Sequence, residues 1–277
     1  MSEQALFTVD ENTCKRCGIC GMACPIVLMY KPDKEAVPVP VKGAEEACIR
    51  CGHCVAVCPT GAMRHSEIPI EDCPPIQKDL LLSPQQVEHW FRSRRSIRNY
   101  KAEQVDRAVL EQLINMARYA PTGHNRQNVR WLVVNDAARV KEFGGLVVDW
   151  MRYLLDKQPE FARSMHMDMV VAGWEIGFDS VMRGAPCLVV AHAPKADQMA
   201  PTSCTIALAY LELAAPSLKL GACWAGFFQA AIRNWPPLAE ALDLPEGHVS
   251  NGGMLVGYPK LSYKRLTKRD EPSIIWR

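Results

Sequence analysis

The chain has 277 residues, enough for one large domain or two unequal ones, and two domains are the starting expectation. Hydrophobic residues make up 48% of it and charged residues 22%, which is ordinary globular composition and excludes disordered and fibrous classes. The net charge is only +2, so the composition does not predict attraction of the whole molecule to nucleic acid or to an anionic membrane.

The most apolar stretch, residues 205–228, contains Glu212, Pro216 and Lys219. A charge near the centre of a bilayer costs about 2.5–3.5 kcal/mol, so the stretch predicts a soluble helix and no membrane span. The first fifteen residues contain four charged residues and no continuous apolar block. We therefore expect no secretory signal and predict a cytoplasmic protein.

Cysteine is unusually frequent, with twelve in the chain and eight of them in the first 58 residues. Clustered cysteines without a secretory signal indicate metal binding and not a disulfide scaffold. The eight form two runs with the same spacing, C-x2-C-x2-C-x3-C-P. The runs are Cys14, Cys17, Cys20 and Cys24 before Pro25, and Cys48, Cys51, Cys54 and Cys58 before Pro59.

This run is typical of bacterial two-cluster ferredoxins, in which the fourth cysteine of each run binds the other 4Fe-4S cluster. Three thiolates at intervals of three residues can wrap one face of an iron–sulfur cube, and Gly18, Gly21 and Gly52 allow the close backbone approach. A pair of four-thiolate zinc sites is the alternative, although zinc sites usually pair two C-x2-C units. The predicted ligand sets are Cys14, Cys17, Cys20 and Cys58 for one cluster, and Cys48, Cys51, Cys54 and Cys24 for the other.

The domain organisation follows from these runs and from the segment after them. Residues 1–68 predict a two-cluster ferredoxin-type domain, in which full cysteine ligation leaves no iron open to substrate. Residues 69–82 contain several prolines and no helical period, which predicts an extended linker, with Cys73 as a spare thiol. A second domain is expected over 83–277, where Ser83, Pro84 and Gln86 form the start signal of a helix.

Short buried strands alternate with helices through the second domain, which predicts an α+β fold with a mixed central sheet flanked by helices. The predicted strands are 130–135, 187–192, 222–225 and 249–257, and the predicted helices include 103–119 and 203–218.

Two basic clusters lie in this domain. Three arginines, Arg94, Arg95 and Arg98, stand beside Ser96, and a second cluster occupies 264–269. Arginine binds phosphate through two parallel hydrogen bonds, so the clusters could converge on an anion. Each could also be a solvated face that complements a helix dipole.

The order of several short motifs resembles the FMN-dependent nitroreductase superfamily over residues 90–277, and the fusion resembles the ferredoxin–nitroreductase proteins of anaerobes. The motifs are residues 94–98 (RRSIR), 120–127 (APTGHNRQ) before the strand 131–134, 183–186 (RGAP), 221–226 (GACWAG) and 257–259 (GYP). One departure is Gln127-Asn128-Val129, where many members have Gln-Pro-Trp. At these positions, we expect the local contacts to the flavin ring to differ from those of such members.

The resemblance implies a homodimer with FMN at the subunit interface. Arg94, Arg95 and Ser96 would hold phosphate and ribityl groups, and Arg98 would approach the N1/O2 edge of the ring, where reduction leaves negative charge. Backbone at Ala225 and Gly226 would face N5. Further residues implied by the resemblance are Pro121, Thr122, Gly123 and Asn125 along the ring, and either Arg265 or Arg269 at the phosphate.

Catalytic residues are less well indicated, because the flavin carries out the chemistry. His124 would lie near the ring, and His166 and Asp168 are candidate proton donors in a methionine-rich segment, 146–183, that could be a lid or an ordinary packing helix. Cys223 reads as a small buried hydrophobe or, alternatively, as a redox residue.

The predicted activity is an FMN-dependent reduction of a small organic acceptor such as a nitroaromatic, with electrons supplied through two 4Fe-4S clusters from an external donor, a ferredoxin or another reductase. Alternatives are a quinone, enone, disulfide or halogenated acceptor, and a non-catalytic electron carrier. We expect no nucleic-acid or membrane partner.

Overall fold

A computed structural model of the protein describes residues 5–277. Residue contacts divide the chain into two units. The first runs to Leu81 and includes His124–Arg126, and the second comprises Leu82–Gly123 and Gln127–Arg277. Most of the segment 69–82 lies with the first unit, where it contains the 3-10 turns Ile70–Asp72 and Lys78–Leu80.

The first unit consists of short elements on either side of the cysteine loops. Its strands are β1 (Phe7–Val9), β2 (Met29–Tyr30), β3 (Val39–Pro40) and β4 (Met63–His65), and its helices are α1 (Ile19–Ala23), α2 (Ala44–Ala47) and α3 (His53–Ala56). Strand β1 pairs antiparallel with β4, and β2 pairs antiparallel with β3. The two cysteine runs also have similar backbone conformations. Gly18 and Gly52, the residues before α1 and α3, both have φ of 73°.

The core of the first unit is small. Its buried members include Phe7, Met29 and Met63 from the strands and two of the cysteines, Cys20 and Cys54. Side chains that could hold inorganic material thus lie within the hydrophobic core itself.

The second unit contains eight helices and four strands among its described residues. The helices are α4 (Pro84–Ser93), α5 (Arg107–Ala117), α6 (Ala137–Lys157), α7 (Pro159–Ser164), α8 (Met167–Glu175), α9 (Ala200–Ala214), α10 (Gly226–Asn234) and α11 (Pro236–Leu242). The strands are β5 (Arg130–Val134), β6 (Cys187–Pro194), β7 (Gly221–Trp224) and β8 (His248–Gly257).

These strands form one sheet in the order β5-β6-β8-β7, and all three pairings are antiparallel. A single parallel bridge, between Ser96 and Ala222, lies at the β7 edge. Strand β6 is buried on both faces, since Leu188 and Val190 join one core while Val189 and Ala191 join the other. Side chains alternate across a strand, so helices must cover both faces of the sheet. The fold is therefore the predicted α+β domain.

Several sequence predictions agree with the observed elements. Ser83 accepts a hydrogen bond from the Gln86 amide and completes a capping box, so α4 begins at Pro84 as predicted. The helix predicted over 103–119 is shorter in the structure. Helix α5 begins at Arg107, directly after Asp106, and ends at Ala117.

The apolar stretch 205–228 is not one soluble helix, as its hydrophobicity alone suggested, but contains the helical segment predicted to end near residue 218 and the strand predicted over 222–225. Helix α9 ends at Ala214, a 3-10 turn follows over Ala215–Leu218, and Lys219 adopts a left-handed φ of 60°. Pro216 cannot donate a helical hydrogen bond, and strand β7 then pairs with β8. No helix within residues 5–277 is both long and apolar enough to cross a membrane.

Candidate functional site

Two cavities in the first unit are each lined by four cysteines. One, with an empty volume of about 370 Å³, is lined by Cys24, Cys48, Cys51 and Cys54. The other, of about 360 Å³, is lined by Cys14, Cys17, Cys20 and Cys58. The structure thus brings together the two sets predicted from the sequence, with the fourth cysteine of each run exchanged.

The loops around these cavities fit a polynuclear cluster. The backbone amides of Leu28 and Arg50 each donate to a cysteine sulfur, on Cys24 and Cys48, at 3.3 Å. Such hydrogen bonds stabilise the negative charge of a ligated cluster. A Cβ on Gly21 would lie 2.4 Å from the Met29 carbonyl oxygen, so the chain can approach this closely only at glycine.

Each set of four cysteines lines one cavity, which is the kind of space that a four-iron cube would occupy. Among residues 5–277, no group of three or more His, Cys, Asp or Glu side chains is arranged to hold a single metal ion.

One histidine also lines the first of these cavities. His65 is buried, and its Nε2 lies 3.7 Å from the Cys48 sulfur. Burial lowers the pKa of His65. The sequence analysis did not single out this residue. The available signal was its place at the end of the strand that follows the second cysteine run.

In the second unit, a basic cavity lies where the segment after α4 reaches the edge of the sheet. The Ile97 amide donates to the Ala222 carbonyl oxygen at 2.9 Å. A Cβ on Gly221 would lie 2.5 Å from Ile97, so glycine permits this approach. The cavity, with an empty volume of about 1140 Å³, is lined by four basic side chains, those of Arg94, Arg95, Lys101 and Lys260, among other residues.

A buried carboxylate fixes the first arginine of this cavity. Glu212 of α9 accepts a hydrogen bond from Arg94 Nη1 at 2.7 Å and another from Trp224 Nε1 at 3.2 Å. Trp90 Nε1 donates to the Leu213 carbonyl oxygen, which docks α4 on α9. Sequence analysis used Glu212 only to exclude a membrane span, although a carboxylate in an apolar helix already indicated a paired charge.

Arg95 has the features of an anion-binding residue. Its Nη2 donates to Thr267 Oγ1 at 2.7 Å, whereas its buried Nε has no hydrogen-bond partner. An unpaired buried donor is costly, so this atom suits an anionic group from outside the chain. Thr267 belongs to the second basic cluster, so the two clusters do converge. Arg265 and Arg269 themselves are exposed.

The residues expected along the ring fall into both units. Pro121, Thr122 and Gly123 belong to the second unit, where Thr122 Oγ1 accepts a hydrogen bond from the Gln127 amide at 2.9 Å. His124 and Asn125 belong to the first unit. There Asn125 Nδ2 donates to the carbonyl oxygens of residues 49 and 50, at 3.2 and 2.8 Å. His124 is exposed, and its φ of 52° and that of Asn125, 51°, are strained for non-glycine residues.

The segment expected to face N5 lies at the start of α10. The Ala225 amide donates to the Gly253 carbonyl oxygen at 2.9 Å, which anchors the turn on β8. Gly226 differs from Gly21 and Gly221, where a Cβ would clash, because a Cβ on Gly226 would meet nothing within 4 Å. The fold does not require glycine at Gly226 for its own packing, so the open space can serve a ligand. Arg98 is exposed.

The remaining cysteines of the second unit are buried. Burial raises the pKa of Cys187 to about 12 and that of Cys204 to about 11. Burial likewise raises the pKa of Cys223, against the opposing charges of Arg98 and Arg183. All three thiols are buried and pack as small hydrophobes.

The candidate proton donors lie outside the cavities described above. His166 and Asp168 are exposed at the start of α8. The methionine-rich segment is divided between core and surface, since Met151 and Met167 are buried whereas Met169 is 70% exposed. It therefore contributes helices to the core and also presents apolar side chains to solvent.

Comparison with protein families decides the class of the second unit. The model of the nitroreductase family matches residues 91–258, more than half of the chain. The chain belongs to the nitroreductase family. A 4Fe-4S dicluster domain model matches residues 13–63, the region of the two cysteine runs. The predicted fusion of a ferredoxin-type module with a nitroreductase-family enzyme is confirmed at this level.

Solved structures share the fold of the family. A nitroreductase with bound FMN from Bacteroides fragilis NCTC 9343 is 20% identical, with a TM-score of 0.56, over 69% of this chain and 98% of that chain. One from Desulfitobacterium hafniense DCB-2, also with bound FMN, is 23% identical, with a TM-score of 0.56, over 68% and 96%. Iodotyrosine deiodinase bound to FMN and 3-iodo-L-tyrosine is 19% identical, with a TM-score of 0.54, over 69% and 98%. A comparison with curated proteins finds no match.

Proposed function

We propose that this nitroreductase-family protein is an FMN-dependent oxidoreductase that accepts electrons singly from an external protein donor and delivers them in pairs to a small organic acceptor such as a nitroaromatic. The observation that carries the proposal is the pair of four-cysteine cavities joined, in one chain, to a reductase domain. When bound, two 4Fe-4S clusters supply one-electron transfer and FMN supplies two-electron storage.

The side chains of the chain hold and insulate these groups. Eight thiolates from two runs bind the clusters, so every iron is ligated by protein and none is open to substrate. Backbone amides on the cysteine sulfurs stabilise the charge, and the surrounding apolar residues exclude water. The first unit therefore serves electron transfer and not substrate binding.

The second unit supplies the binding groups for FMN. Arg95, with its unpaired Nε, and Arg94, held by Glu212, present positive charge to the phosphate, with Ser96 nearby in the chain. Arg265 or Arg269 would complete the phosphate site. Arg98 would stabilise the charge of the reduced ring, since guanidinium does not lose its proton. The residues proposed along the ring itself are Pro121, Thr122, Gly123, Asn125, Ala225 and Gly226.

The active form is proposed to be a homodimer with FMN at the interface. In the single chain, several large apolar side chains are exposed, including Phe178 at 65% and Trp276 at 86%. Burial of such side chains against a second copy of the chain would contribute favourable free energy to association. Sedimentation of the FMN-loaded protein measures this, and a monomer at micromolar concentration would contradict it.

The decisive experiment is an anaerobic purification followed by cofactor analysis and turnover. We expect about eight iron and eight sulfide per chain for two clusters, FMN at about one per chain, bleaching of the flavin bands with dithionite or a low-potential ferredoxin, and nitroaromatic reduction. Zinc in place of iron would overturn the cluster assignment. Turnover of quinones, enones, disulfides or halogenated aromatics alone would change the acceptor, and electron exchange without turnover would make the protein a carrier.

Cys17→Ser separates the two cofactor sites. The exposed Cys17 is in one predicted ligand set, so its loss should slow electron transfer from a protein donor while direct chemical reduction of FMN continues. Cys73→Ser is the matched control, since Cys73 lines neither cysteine cavity. Equal loss of donor-dependent reduction in both variants would argue against the assigned path.

A further inference from the structure

The two halves of the first unit share the same cysteine spacing, and one of the positions at which they differ is a buried polar residue beside a cysteine. Met29 in β2 and Met63 in β4 hold corresponding places after the two cysteine runs, and both are buried. Two residues after each methionine, the first half has Lys31 and the second half has His65. Lys31 donates to the backbone carbonyls of residues 16 and 34, whereas His65 contacts a cysteine.

The orientation of the His65 ring is fixed from three sides. Its Nδ1 accepts a hydrogen bond from the Glu67 amide at 3.1 Å, so the ring proton of the neutral form lies on Nε2. That Nε2 is the atom 3.7 Å from the Cys48 sulfur. Phe7 packs against the ring edge-to-face, with centroids 5.3 Å apart and planes at 89°.

The chemistry of a reduced cluster gives this contact a consequence. Adding an electron increases the negative charge on the cluster and its thiolates, so a hydrogen-bond donor to a ligating sulfur stabilises the reduced form more than the oxidised one. His65 is only 3% exposed, and a hydrogen bond in such a dry environment is not weakened by competing water.

We propose that the Nε2–H of His65 donates to the Cys48 sulfur and raises the reduction potential of the cluster held by Cys24, Cys48, Cys51 and Cys54, relative to the same cluster without this donor. The inference rests on the two clusters of the proposed function. It assigns His65 as a positioning and tuning residue that acts through Cys48, and it predicts that the other cluster is insensitive to residue 65.

The test is a potentiometric titration of the full-length protein, monitored by electron paramagnetic resonance, for wild type, His65→Leu and His65→Gln at one pH. In His65→Leu, the equilibrium constant for reduction of the cluster that Cys48 binds should fall by about three- to tenfold. A tenfold change corresponds to about 59 mV for one electron. The other cluster is an internal control and should titrate as in wild type. His65→Gln retains an amide donor and should recover part of the shift.

Iron and sulfide analysis keeps this test separate from the proposed function. Wild-type protein without iron would refute the proposed function itself. If all three proteins carry the full iron content and His65→Leu titrates like wild type, or if both clusters shift equally, the role of His65 is refuted. If the clusters do not assemble in His65→Leu, the test is instead the hyperfine coupling between the reduced wild-type cluster and a ¹⁵N-labelled histidine. A coupling unchanged in His65→Gln, or none at all, would overturn the inference.

Discussion

The two units differ in what occupies their centres. In the first unit, the cysteines and the cavities that they line take up space that a larger domain would fill with side chains, and Cys20 and Cys54 belong to its small core. In the second unit, two apolar cores cover both faces of the sheet, and the basic cavity lies at the sheet edge beside α4 and α9. At the proposed sites, a cofactor of the first unit would be part of the core, whereas a cofactor of the second unit would bind at the edge of an already complete core.

This difference follows from size and from the chemistry of the ligands. A domain of fewer than about 80 residues buries little apolar surface, so metals or disulfides commonly supply part of its stability. Thiolates brought together by folding also repel one another unless a cation holds them. In the second unit, the carboxylate of Glu212 already has a partner within the chain, the guanidinium of Arg94.

The largest expected effect is that of iron removal, which tests the comparison directly. After anaerobic chelation, the first unit should lose most of its protection from amide hydrogen exchange, because metal binding and folding are coupled in such modules. The strands of the second unit, β6 and β8, should stay protected. Hydrogen exchange read by mass spectrometry measures both units in one sample. Protection retained in β1 and β4 without iron would mean that the first unit is stabilised by its core alone.

Substitution of Arg95 should have the next largest effect, on FMN affinity. Loss of a charged donor to phosphate costs about 2–3 kcal/mol, which is roughly a hundredfold in Kd for Arg95→Ala. Arg92→Ala is the matched control, since Arg92 lies three residues earlier in the chain, in the last turn of α4, in an exposed pair with Glu88. Flavin fluorescence titration of apoprotein measures both. Equal affinity in the two variants would remove Arg95 from the phosphate site.

The two units also differ in how much of their structure could be predicted from the sequence. In the first unit, the spacing of the two runs predicted which four cysteines line each cavity, with Cys24 and Cys58 exchanged between the runs, and their role as cluster ligands stays a prediction. In the second unit, local signals such as the Ser83 capping box gave the start of a helix. Within the apolar stretch 205–228, the predicted helix 203–218 and the predicted strand 222–225 correspond to α9 with its 3-10 turn and to β7, whereas the pairing of β7 with the distant β8 has no local signal.

The parts of the site that escaped prediction are contacts between residues far apart in sequence. The pairing of Arg94 with Glu212 joins the segment after α4 to helix α9, and the contact of Arg95 with Thr267 joins the start of the domain to its tail. No periodicity encodes such pairs. His65 escaped for the same reason, because its partner Cys48 lies across the fold of the first unit and not beside it in the chain.

Glu212→Gln should destabilise the second unit without unfolding it. The amide leaves the Arg94 charge without its counter-charge, and breaking a buried ion pair costs about 3–5 kcal/mol. Arg94 retains some exposure, 23% for its side chain, so we expect about 2 kcal/mol. Urea unfolding followed by tryptophan fluorescence measures this. Glu88→Gln, which breaks the exposed pair with Arg92, should change stability by less than about 1 kcal/mol. Equal changes in the two variants would show that burial of the Arg94 pair has no energetic consequence.

The smallest effect is expected at Gly226. One added methyl group there tests whether FMN binds in open space that the protein core does not need. Because a Cβ there meets no atom within 4 Å, Gly226→Ala should change the free energy of unfolding of the apoprotein by no more than about 1 kcal/mol. If flavin occupies that space, FMN affinity should fall by about tenfold, equivalent to roughly 1.4 kcal/mol. Gly145→Ala in α6 is the control, since its Cβ would make an ordinary 3.7 Å contact with Trp174 away from the proposed ring. Unchanged FMN affinity in Gly226→Ala would mean that the ring does not approach the start of α10, and the contact of N5 with this backbone would have to be abandoned.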